Sequence, residues 1–211
     1  MKTLIFAIIS YLIGCINPAY LIGQKKGYDI RERGSLNAGA SNVLINVGKR
    51  AGVLTALFDI FKSFFCYKVA ETLIPEFTFA GILCASVCVF GHIFPVFLKF
   101  RGGKGFASLC GLILGFNLKA ALLMAACAVV ILLVTDYLCF VTTFASASIP
   151  IIYYCVTKDP IGATIVSFVG MIIISKHFCN FKRIKKGTEA RFSGIWNREK
   201  EEERIRQNSQ K

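Results

Sequence analysis

The sequence predicts an all-α integral membrane protein with seven membrane segments, the fourth of which is short. Hydrophobic residues make up 55% of the 211-residue chain, more than a soluble domain of this size requires. They are grouped in stretches of about 20 residues with almost no charge, which is the signature of bilayer-spanning helices. Turn-forming or charged residues separate these stretches and mark the connections between helices.

In chain order, the first segment (3–23) resembles a signal peptide, but no small-residue cleavage site is evident, so we interpret it as a retained helix. The fourth (106–116) is too short to cross the bilayer unaided, because a helix rises about 1.5 Å per residue and the hydrocarbon core is about 30 Å thick. It is short and sheltered by its neighbours, extended by the preceding loop, or re-entrant. The other segments are 53–72, 78–97, 118–134, 138–156 and 160–176.

The net charge of +13 is concentrated in three segments: the loop 24–52, the loop after the third segment, and the chain after residue 175. Cytoplasmic loops collect Lys and Arg, so we expect these segments on the inner side. An even number of helices must then separate the second basic segment from the third, which allows seven helices or five in total, and we favour seven. In either case the N-terminus is outside and the C-terminus in the cytoplasm. Residues 1–197 would form one membrane domain, and residues 198–211 a charged cytoplasmic tail, either frayed or helical. No nucleic-acid partner is expected, because it would require basic and aromatic residues on a folded polar domain.

The nine cysteines contain no CxxC pair, and most of them lie within apolar runs. We therefore interpret them as small buried hydrophobic residues. Cys84 and Cys88 share a helix face, but no nearby His or carboxylate completes a metal site. Neither a metal nor a cofactor is expected.

The loop after the third segment reads RGGKG and has the composition of an anion site. It lacks the Ser or Thr after Lys and the earlier glycine of a nucleotide P-loop, which excludes a Walker motif. Consecutive glycines let successive backbone N–H groups point into one concavity that binds anions, and the N-terminus of the following helix also favours an anion. A tight turn is the alternative. The candidate phosphate-binding residues are Gly102, Gly103, Lys104 and Gly105.

Two further polar stretches contain candidate site residues. In GSLNAGASN, neutral donors and acceptors lie among glycines, which suits the recognition of hydroxyls or phosphate oxygens; the alternative is a simple turn. In KHFCNFKRIKKGTEARF, His177 and Asn180 share a helix face, and histidine is the side chain most easily placed as a base near neutral pH. The alternative for His177 is an ordinary interfacial residue. The candidates are Gly34, Ser35, Asn37, Gly39, Asn42, His177, Asn180, Arg183 and Glu189.

Asp59 and Lys62 lie inside an apolar run, where a charge is costly and indicates either pairing or function. Their spacing allows them to pair with each other. We keep Lys62 as a candidate substrate-binding residue and a structural ion pair as the alternative.

Four motifs, spread over nearly the whole chain, resemble those of the bacterial acyl-phosphate:glycerol-3-phosphate acyltransferase family, PlsY: GSLNAGASNVL with GKRAG, DIFK, GHIFPVFLKFRGGKGFA, and HFCN…R…KGTEARF. The resemblance implies a seven-helix enzyme of the bacterial plasma membrane with its site at the cytoplasmic face. It would move a fatty acyl group from acyl phosphate to the 1-hydroxyl of glycerol 3-phosphate, the first acylation of phospholipid synthesis. Its partners would be the lipid bilayer and the soluble enzyme that makes acyl phosphate.

The resemblance also implies roles for individual residues. Lys104 and the two glycine-bearing loops would bind the two substrate phosphates. His177 would orient or deprotonate the acceptor hydroxyl, unless a phosphate oxygen of the donor takes that proton. Asn180 and Ser35 would hydrogen-bond substrate, and Ser35 as an acyl-carrying nucleophile is the weaker option because no base adjoins it in sequence.

Two positions depart from the family pattern. Leu36 stands where the family usually has Gly, and Ile45 stands where it usually has an arginine that contacts glycerol phosphate. The loss of a charged phosphate ligand would cost affinity unless Lys49 or Arg50 compensates.

A membrane transporter of a phosphorylated metabolite is the competing hypothesis, because basic, glycine-rich loops at a membrane face suit it as well. Transporters, however, commonly contain repeated halves, and the sequence has no internal repeat. A non-catalytic scaffold would leave the His, Asn and Ser residues of the motifs unexplained.

Overall fold

The structure, a computed structural model that describes residues 1–210, is helical, and no strand occurs in that range. This confirms the predicted all-α class. Short 3-10 turns lie at Ile30–Glu32, Val96–Leu98 and Ser193–Ile195. The α-helices are α1 (Lys2–Cys15), α2 (Pro18–Lys25), α3 (Ala40–Asn46), α4 (Lys49–Leu73), α5 (Ala80–Ile93), α6 (Phe106–Phe116), α7 (Leu118–Thr135), α8 (Leu138–Thr157), α9 (Pro160–Lys185) and α10 (Arg198–Ser209).

Five helical stretches of the described chain are long and apolar enough to cross a membrane. Of the other two predicted segments, one corresponds to the charged, 25-residue helix α4 and the other to α6, a shorter apolar helix of 11 residues. The five stretches are Lys2–Lys25, Ala80–Leu98, Leu118–Thr135, Leu138–Thr157 and Pro160–Lys185.

Short polar residues set where several helices begin. Asn17 Oδ1 accepts the N–H of Tyr20 at 2.9 Å at the start of α2, which separates it from α1. Asp159 Oδ1 accepts the N–H of Ile161 at 3.0 Å at the start of α9. Both caps are followed by a proline at the first helical position, where the missing N–H leaves no hydrogen bond unmade.

The helices pack around α5. The Ala80–Leu98 stretch is 61% buried and α7 only 11%, so α5 is central and α7 faces outward. Small residues allow close backbone contacts, as is typical of membrane helices. A Cβ at Gly14 of α1 would lie 2.2 Å from the carbonyl oxygen of Cys88 in α5, and one at Gly111 of α6 would lie 2.0 Å from that of Ile60 in α4. The short α6 is thus sheltered by its neighbours, one of the three predicted alternatives.

The loop between α2 and α4 is a folded unit organised by Asn42. The Asn42 Nδ2 group donates to the carbonyl oxygens of Ile30 at 2.8 Å and Asn37 at 2.9 Å, and its Oδ1 accepts the N–H of Ser35 at 3.0 Å. Asn42 is 1% exposed. These contacts fix the position of Ser35 relative to α3.

Candidate functional site

A cavity of about 370 Å³ lies at the end of the bundle where α4, α6 and α8 begin and α5 and α9 end. The three polar stretches singled out in the sequence meet there, although they are far apart along the chain. Of the predicted site residues, those that line the cavity are Ser35, Asn37, Gly39, Lys104, Gly105, His177, Asn180 and Glu189.

A chain of charged and polar side chains runs along one wall of this cavity; we call it the polar chain (Lys104, Asn180, Glu189 and Arg183). The Lys104 ammonium donates to Asn180 Oδ1, and Asn180 Nδ2 donates to Glu189 Oε1. Arg183 Nε donates to Glu189 Oε2 at 2.6 Å. The polar chain therefore contains two cations and one carboxylate, and the surplus positive charge favours the binding of an anion.

Lys104 is poised for this role by its surroundings. Burial lowers the pKa of the Lys104 ammonium below its ordinary value of 10.5, and the charge of Arg183 lowers it further, whereas Glu189 opposes the shift. Burial disfavours the charged form of the lysine, and an anion bound beside it would restore the stabilisation that water no longer provides. Lys104 also lies two residues before α6, whose N-terminal residues Phe106 and Ala107 line the cavity.

His177 is buried, at 5% exposure, on the face of α9 that lines the cavity. Its Nδ1 lies 2.8 Å from the carbonyl oxygen of Ile173 one turn earlier. A carbonyl oxygen can only accept, so Nδ1 carries the proton and Nε2 of the neutral ring is left as a proton acceptor. This is the tautomer that a general base requires.

The predicted geometry of the glycine turn needs correction. The N–H of Gly102 donates to the carbonyl oxygen of Ile93 and that of Gly103 donates to the carbonyl oxygen of His92, both at 3.1 Å. These N–H groups satisfy the last carbonyls of α5, which have no partner within the helix, and so do not face the cavity. Gly102 and Gly103 do not line it either; Lys104, Gly105 and the start of α6 do.

Four other candidates lie outside the cavity lining. Asn42 holds the preceding loop, and Gly34 packs against its neighbour Asn46, whose Nδ2 would lie 2.2 Å from a Cβ at Gly34. Arg183 reaches the site through Glu189. Lys62 belongs to a separate cluster, described next.

Asp59, Lys62 and His92 form a second, buried cluster, the buried triad. Asp59 and His92 also line the cavity, whereas Lys62 does not. Lys62 Nζ lies 2.7 Å from Asp59 Oδ1 and donates to the carbonyl oxygens of Gly14 at 3.1 Å and Ile16 at 2.9 Å, at the end of α1. His92 Nδ1 lies 3.2 Å from Asp59 Oδ1. His92 Nδ1 also lies 3.1 Å from Lys62 Nζ. Because a carboxylate oxygen and two carbonyl oxygens already accept the three protons of Lys62, the geometry fits the structural ion pair rather than substrate binding.

Sequence reasoning did not choose two other residues of the cavity wall, His92 and Arg191, as site residues. It raised Asp59, which also lines the cavity, only together with Lys62, as a functional pair or a structural ion pair. His92 is one of only two histidines in the chain and lies within the GHIFP stretch, a signal that was available. Arg191 lies two residues after Glu189 in the motif HFCN…R…KGTEARF. Among residues 1–210, no group of three or more His, Cys, Asp and Glu side chains could hold a metal ion.

The two departures from the family pattern have structural consequences. Ile45 lines the cavity as an apolar residue, and neither Lys49 nor Arg50 does. Lys49 Nζ instead lies 4.4 Å from the ring centroid of Trp196. Leu36, which is 63% exposed, has a φ of 59°, a left-handed conformation that glycine adopts more readily.

Comparison with known proteins gives one consistent result. Residues 4–187 match the family model described as glycerol-3-phosphate acyltransferase. A relative of that name from Clostridioides difficile (strain 630) is 35% identical over 196 residues, covering 88% of this chain and 93% of the relative.

Two solved structures have the same fold. A crystal structure of PlsY, an integral membrane glycerol 3-phosphate acyltransferase, in its glycerol 3-phosphate form has a TM-score of 0.85 and 29% identity, covering 92% of this chain and 98% of the other. Its lysophosphatidic acid form has a TM-score of 0.81, also with 29% identity, covering 93% and 99%.

Proposed function

Because the chain belongs to the glycerol-3-phosphate acyltransferase family, we propose that it transfers a fatty acyl group from acyl phosphate to the 1-hydroxyl of glycerol 3-phosphate. The products are lysophosphatidic acid and inorganic phosphate. The hydroxyl oxygen forms an ester bond with the acyl carbon as the bond from that carbon to the phosphate oxygen breaks. The observation that carries the proposal is the meeting of Lys104, Asn180 and His177 at one cavity.

The polar chain would bind the phosphate of glycerol 3-phosphate, since it lines the same cavity as His177, which would act on the acceptor hydroxyl. Its excess of cationic groups over carboxylates, together with the N-terminus of α6, provides charge-assisted donors for a dianionic group. Glu189 holds the amide of Asn180 so that its oxygen faces Lys104. Ser35, Asn37, Gly39 and Gly105 line the same cavity and would contact the remaining phosphate and hydroxyl oxygens.

His177 would act on the acceptor hydroxyl. Its Nε2 can accept the hydroxyl proton as the oxygen attacks the acyl carbon, and the departing phosphate can carry a proton away. Acyl phosphate already has a good leaving group, so positioning and charge stabilisation supply most of the remaining catalysis. No covalent acyl-enzyme on Ser35 is required.

The apolar part of the cavity would hold the start of the acyl chain. Leu44, Ile45, Val53 and Ile60 line it beside the polar residues. Val53 lies on α4 and is 51% exposed, on a surface that also carries other large apolar side chains. A lipid-soluble donor can therefore place its phosphate in the cavity while its tail stays among apolar helices.

The chain is a multi-pass membrane protein, and we propose the finer topology of seven segments with the N-terminus outside. The cavity then lies at the cytoplasmic face of the bacterial plasma membrane, since the basic segments share that end of the bundle. This placement gives access to glycerol 3-phosphate and to acyl phosphate from the soluble enzyme that makes it.

The test is an acylation assay on the purified protein in lipid nanodiscs. Release of phosphate from palmitoyl phosphate is expected only when glycerol 3-phosphate is present, with lysophosphatidic acid formed in equal amount. Phosphate release that does not depend on glycerol 3-phosphate would contradict the proposal. Uptake of labelled glycerol 3-phosphate into liposomes without acylation would favour the transporter instead.

A further inference from the structure

The C-terminal helix α10 lies beyond the matched family region, which ends at residue 187, yet it is packed against the site. The residues just before it form one wall of the cavity, which includes Glu189 and Arg191. We call residues 187–191 the rim loop. The charged tail is therefore helical, as one of the two predicted alternatives held, and it contacts the loop that carries Glu189.

The guanidinium of Arg204 makes two of the contacts that connect α10 to the rim loop. Arg204 Nη1 donates to the carbonyl oxygen of Gly187 at 2.6 Å, and its Nη2 donates to that of Glu189 at 2.7 Å. Asn208 Nδ2 also donates to Gly187, at 3.0 Å. The contacts fix backbone atoms on both sides of Thr188, and Gly187 turns there with a φ of 69°.

Glu201 holds this guanidinium in place. Its Oε1 and Oε2 accept from Arg204 Nη2 and Nε at 2.6 and 2.9 Å, a two-point geometry that a lysine cannot reproduce. Glu201 Oε1 also accepts the backbone N–H of Arg191 at 2.8 Å. The pair therefore grips the rim loop at Gly187, Glu189 and Arg191.

We propose that Arg204 is a positioning residue for the acceptor side of the active site. By fixing the backbone of Glu189, it keeps the carboxylate of that residue on Asn180 and Arg183, and so keeps the Asn180 amide oriented toward Lys104. Arg204 itself lies outside the cavity lining and acts only through the rim loop. The inference rests on the proposed function, since it assigns this wall to binding of glycerol 3-phosphate.

The other end of the same wall is anchored independently. Asp136, between α7 and α8, accepts the N–H of Ser193 at 2.7 Å and, through its carbonyl oxygen, that of Phe192 at 2.8 Å. Removal of the Arg204 contacts would therefore loosen the rim loop without detaching residues 192 and 193. This limits the expected effect to the part of the wall that carries Glu189.

The experiment compares Arg204→Ala with Arg206→Ala, which removes the same charge from an exposed position of the same helix. In Arg204→Ala the KM for glycerol 3-phosphate should rise about tenfold, because the hydrogen bonds from the charged guanidinium to the rim loop are lost. The KM for acyl phosphate and the thermal midpoint should change little, and Arg204→Lys should restore only part of the loss. Arg206→Ala should behave as the unchanged protein does.

Hydrogen exchange of the rim-loop amides in the full-length protein is the second readout. Exchange should be faster in Arg204→Ala than in Arg206→Ala. Equal exchange in the two variants, or faster exchange with an unchanged KM for glycerol 3-phosphate, would overturn the inference. So would a parallel rise of both KM values with a lowered thermal midpoint. If the protein without any substitution has no acylation activity, the proposed function is wrong. Hydrogen exchange does not depend on activity, so it still tests whether Arg204 holds the rim loop.

Discussion

The buried triad and the polar chain are both built around a lysine and lie in the same bundle, but the two lysines have different surroundings. Lys62 has a carboxylate, two carbonyl oxygens and the ring nitrogen of His92 around it. The side chains of Lys62 and Asp59 are each 2% exposed. Lys104 donates to the neutral amide of Asn180, and the nearby carboxylate of Glu189 pairs with Arg183 instead.

This difference separates a structural charge from a functional one. A buried charge whose donors all have acceptors stabilises one arrangement and has little left for a ligand. A charge with an incomplete set of counter-charges beside a cavity retains attraction for an anion. Burial of a lysine in an apolar run therefore does not identify a site; the identity of its partners does.

The largest effect on activity is expected at His177, which lines the cavity together with Lys104 and Asn180. His177→Ala should lower kcat on the order of 10²–10⁴-fold, the usual contribution of a general base. The KM for glycerol 3-phosphate should change much less, because the polar chain is intact. Steady-state kinetics measure both constants. Retention of full kcat in a folded variant would remove His177 from the mechanism and leave the proton to substrate phosphate.

The largest effect on stability is expected at the buried triad. Asp59→Asn leaves the ammonium of Lys62 without a counter-charge and should lower the unfolding free energy by about 3–5 kcal/mol. The double variant Asp59→Asn/Lys62→Met should recover part of that loss. Thermal unfolding in detergent makes the comparison.

The matched change in the polar chain is Glu189→Gln. It should cost less stability, because its partner Arg183 is 30% exposed and can be hydrated, while the KM for glycerol 3-phosphate should rise. Equal destabilisation by Asp59→Asn and Glu189→Gln would contradict the distinction between the two clusters.

The pH dependence of acceptor binding is expected to follow Lys104. Because the pKa of Lys104 is lowered by burial and by Arg183, its charge is lost at a lower pH than that of an ordinary lysine. The KM for glycerol 3-phosphate should therefore rise on the alkaline side, beginning below pH 10.5. In Lys104→Arg this alkaline rise should move to higher pH, since arginine stays protonated. If KM rises at the same pH in Lys104→Arg as in the protein without the substitution, a group other than Lys104 causes the rise.

The smallest effect is expected at Leu36, in the loop beside Ser35. A non-glycine residue in the left-handed region destabilises the folded state by about 1–2 kcal/mol. Glycine would remove this strain, but part of the gain would be lost because glycine has more conformational freedom in the unfolded chain. Leu36→Gly should therefore raise the thermal midpoint slightly. Leu36→Ala retains the Cβ and serves as the control that should bring no gain. A lower midpoint for Leu36→Gly than for Leu36→Ala would show that the exposed side chain stabilises the loop.

The local features of the fold were predictable from sequence. The apolar run 106–116 corresponds to α6, with Phe106 and Phe116 as its ends. Composition also placed the three polar stretches in loops and at a helix end, and the charge distribution predicted that they share one side. The cavity joins Ser35, Lys104 and His177, as that argument requires.

The features that depend on distant contacts were not predictable. The N–H groups of Gly102 and Gly103 are taken by carbonyls of α5, a partner that glycine spacing does not reveal. Lys62 was a candidate ligand until the carbonyl oxygens of Gly14 and Ile16, more than 40 residues earlier, proved to lie beside it. The hydrogen bond from Arg204 to the carbonyl oxygen of Glu189 likewise joins residues that are distant in sequence, and nothing in the sequence pattern reveals it.

Binding of glycerol 3-phosphate by isothermal titration in nanodiscs, without acyl donor, tests most directly whether the polar chain is the acceptor phosphate site. Lys104→Ala should weaken binding by about tenfold or more, the loss of a charge-assisted contact to phosphate. Arg101→Ala, which removes an exposed charge from the same loop, should bind as the unchanged protein does. Equal affinity in Lys104→Ala and the unchanged protein would contradict this assignment.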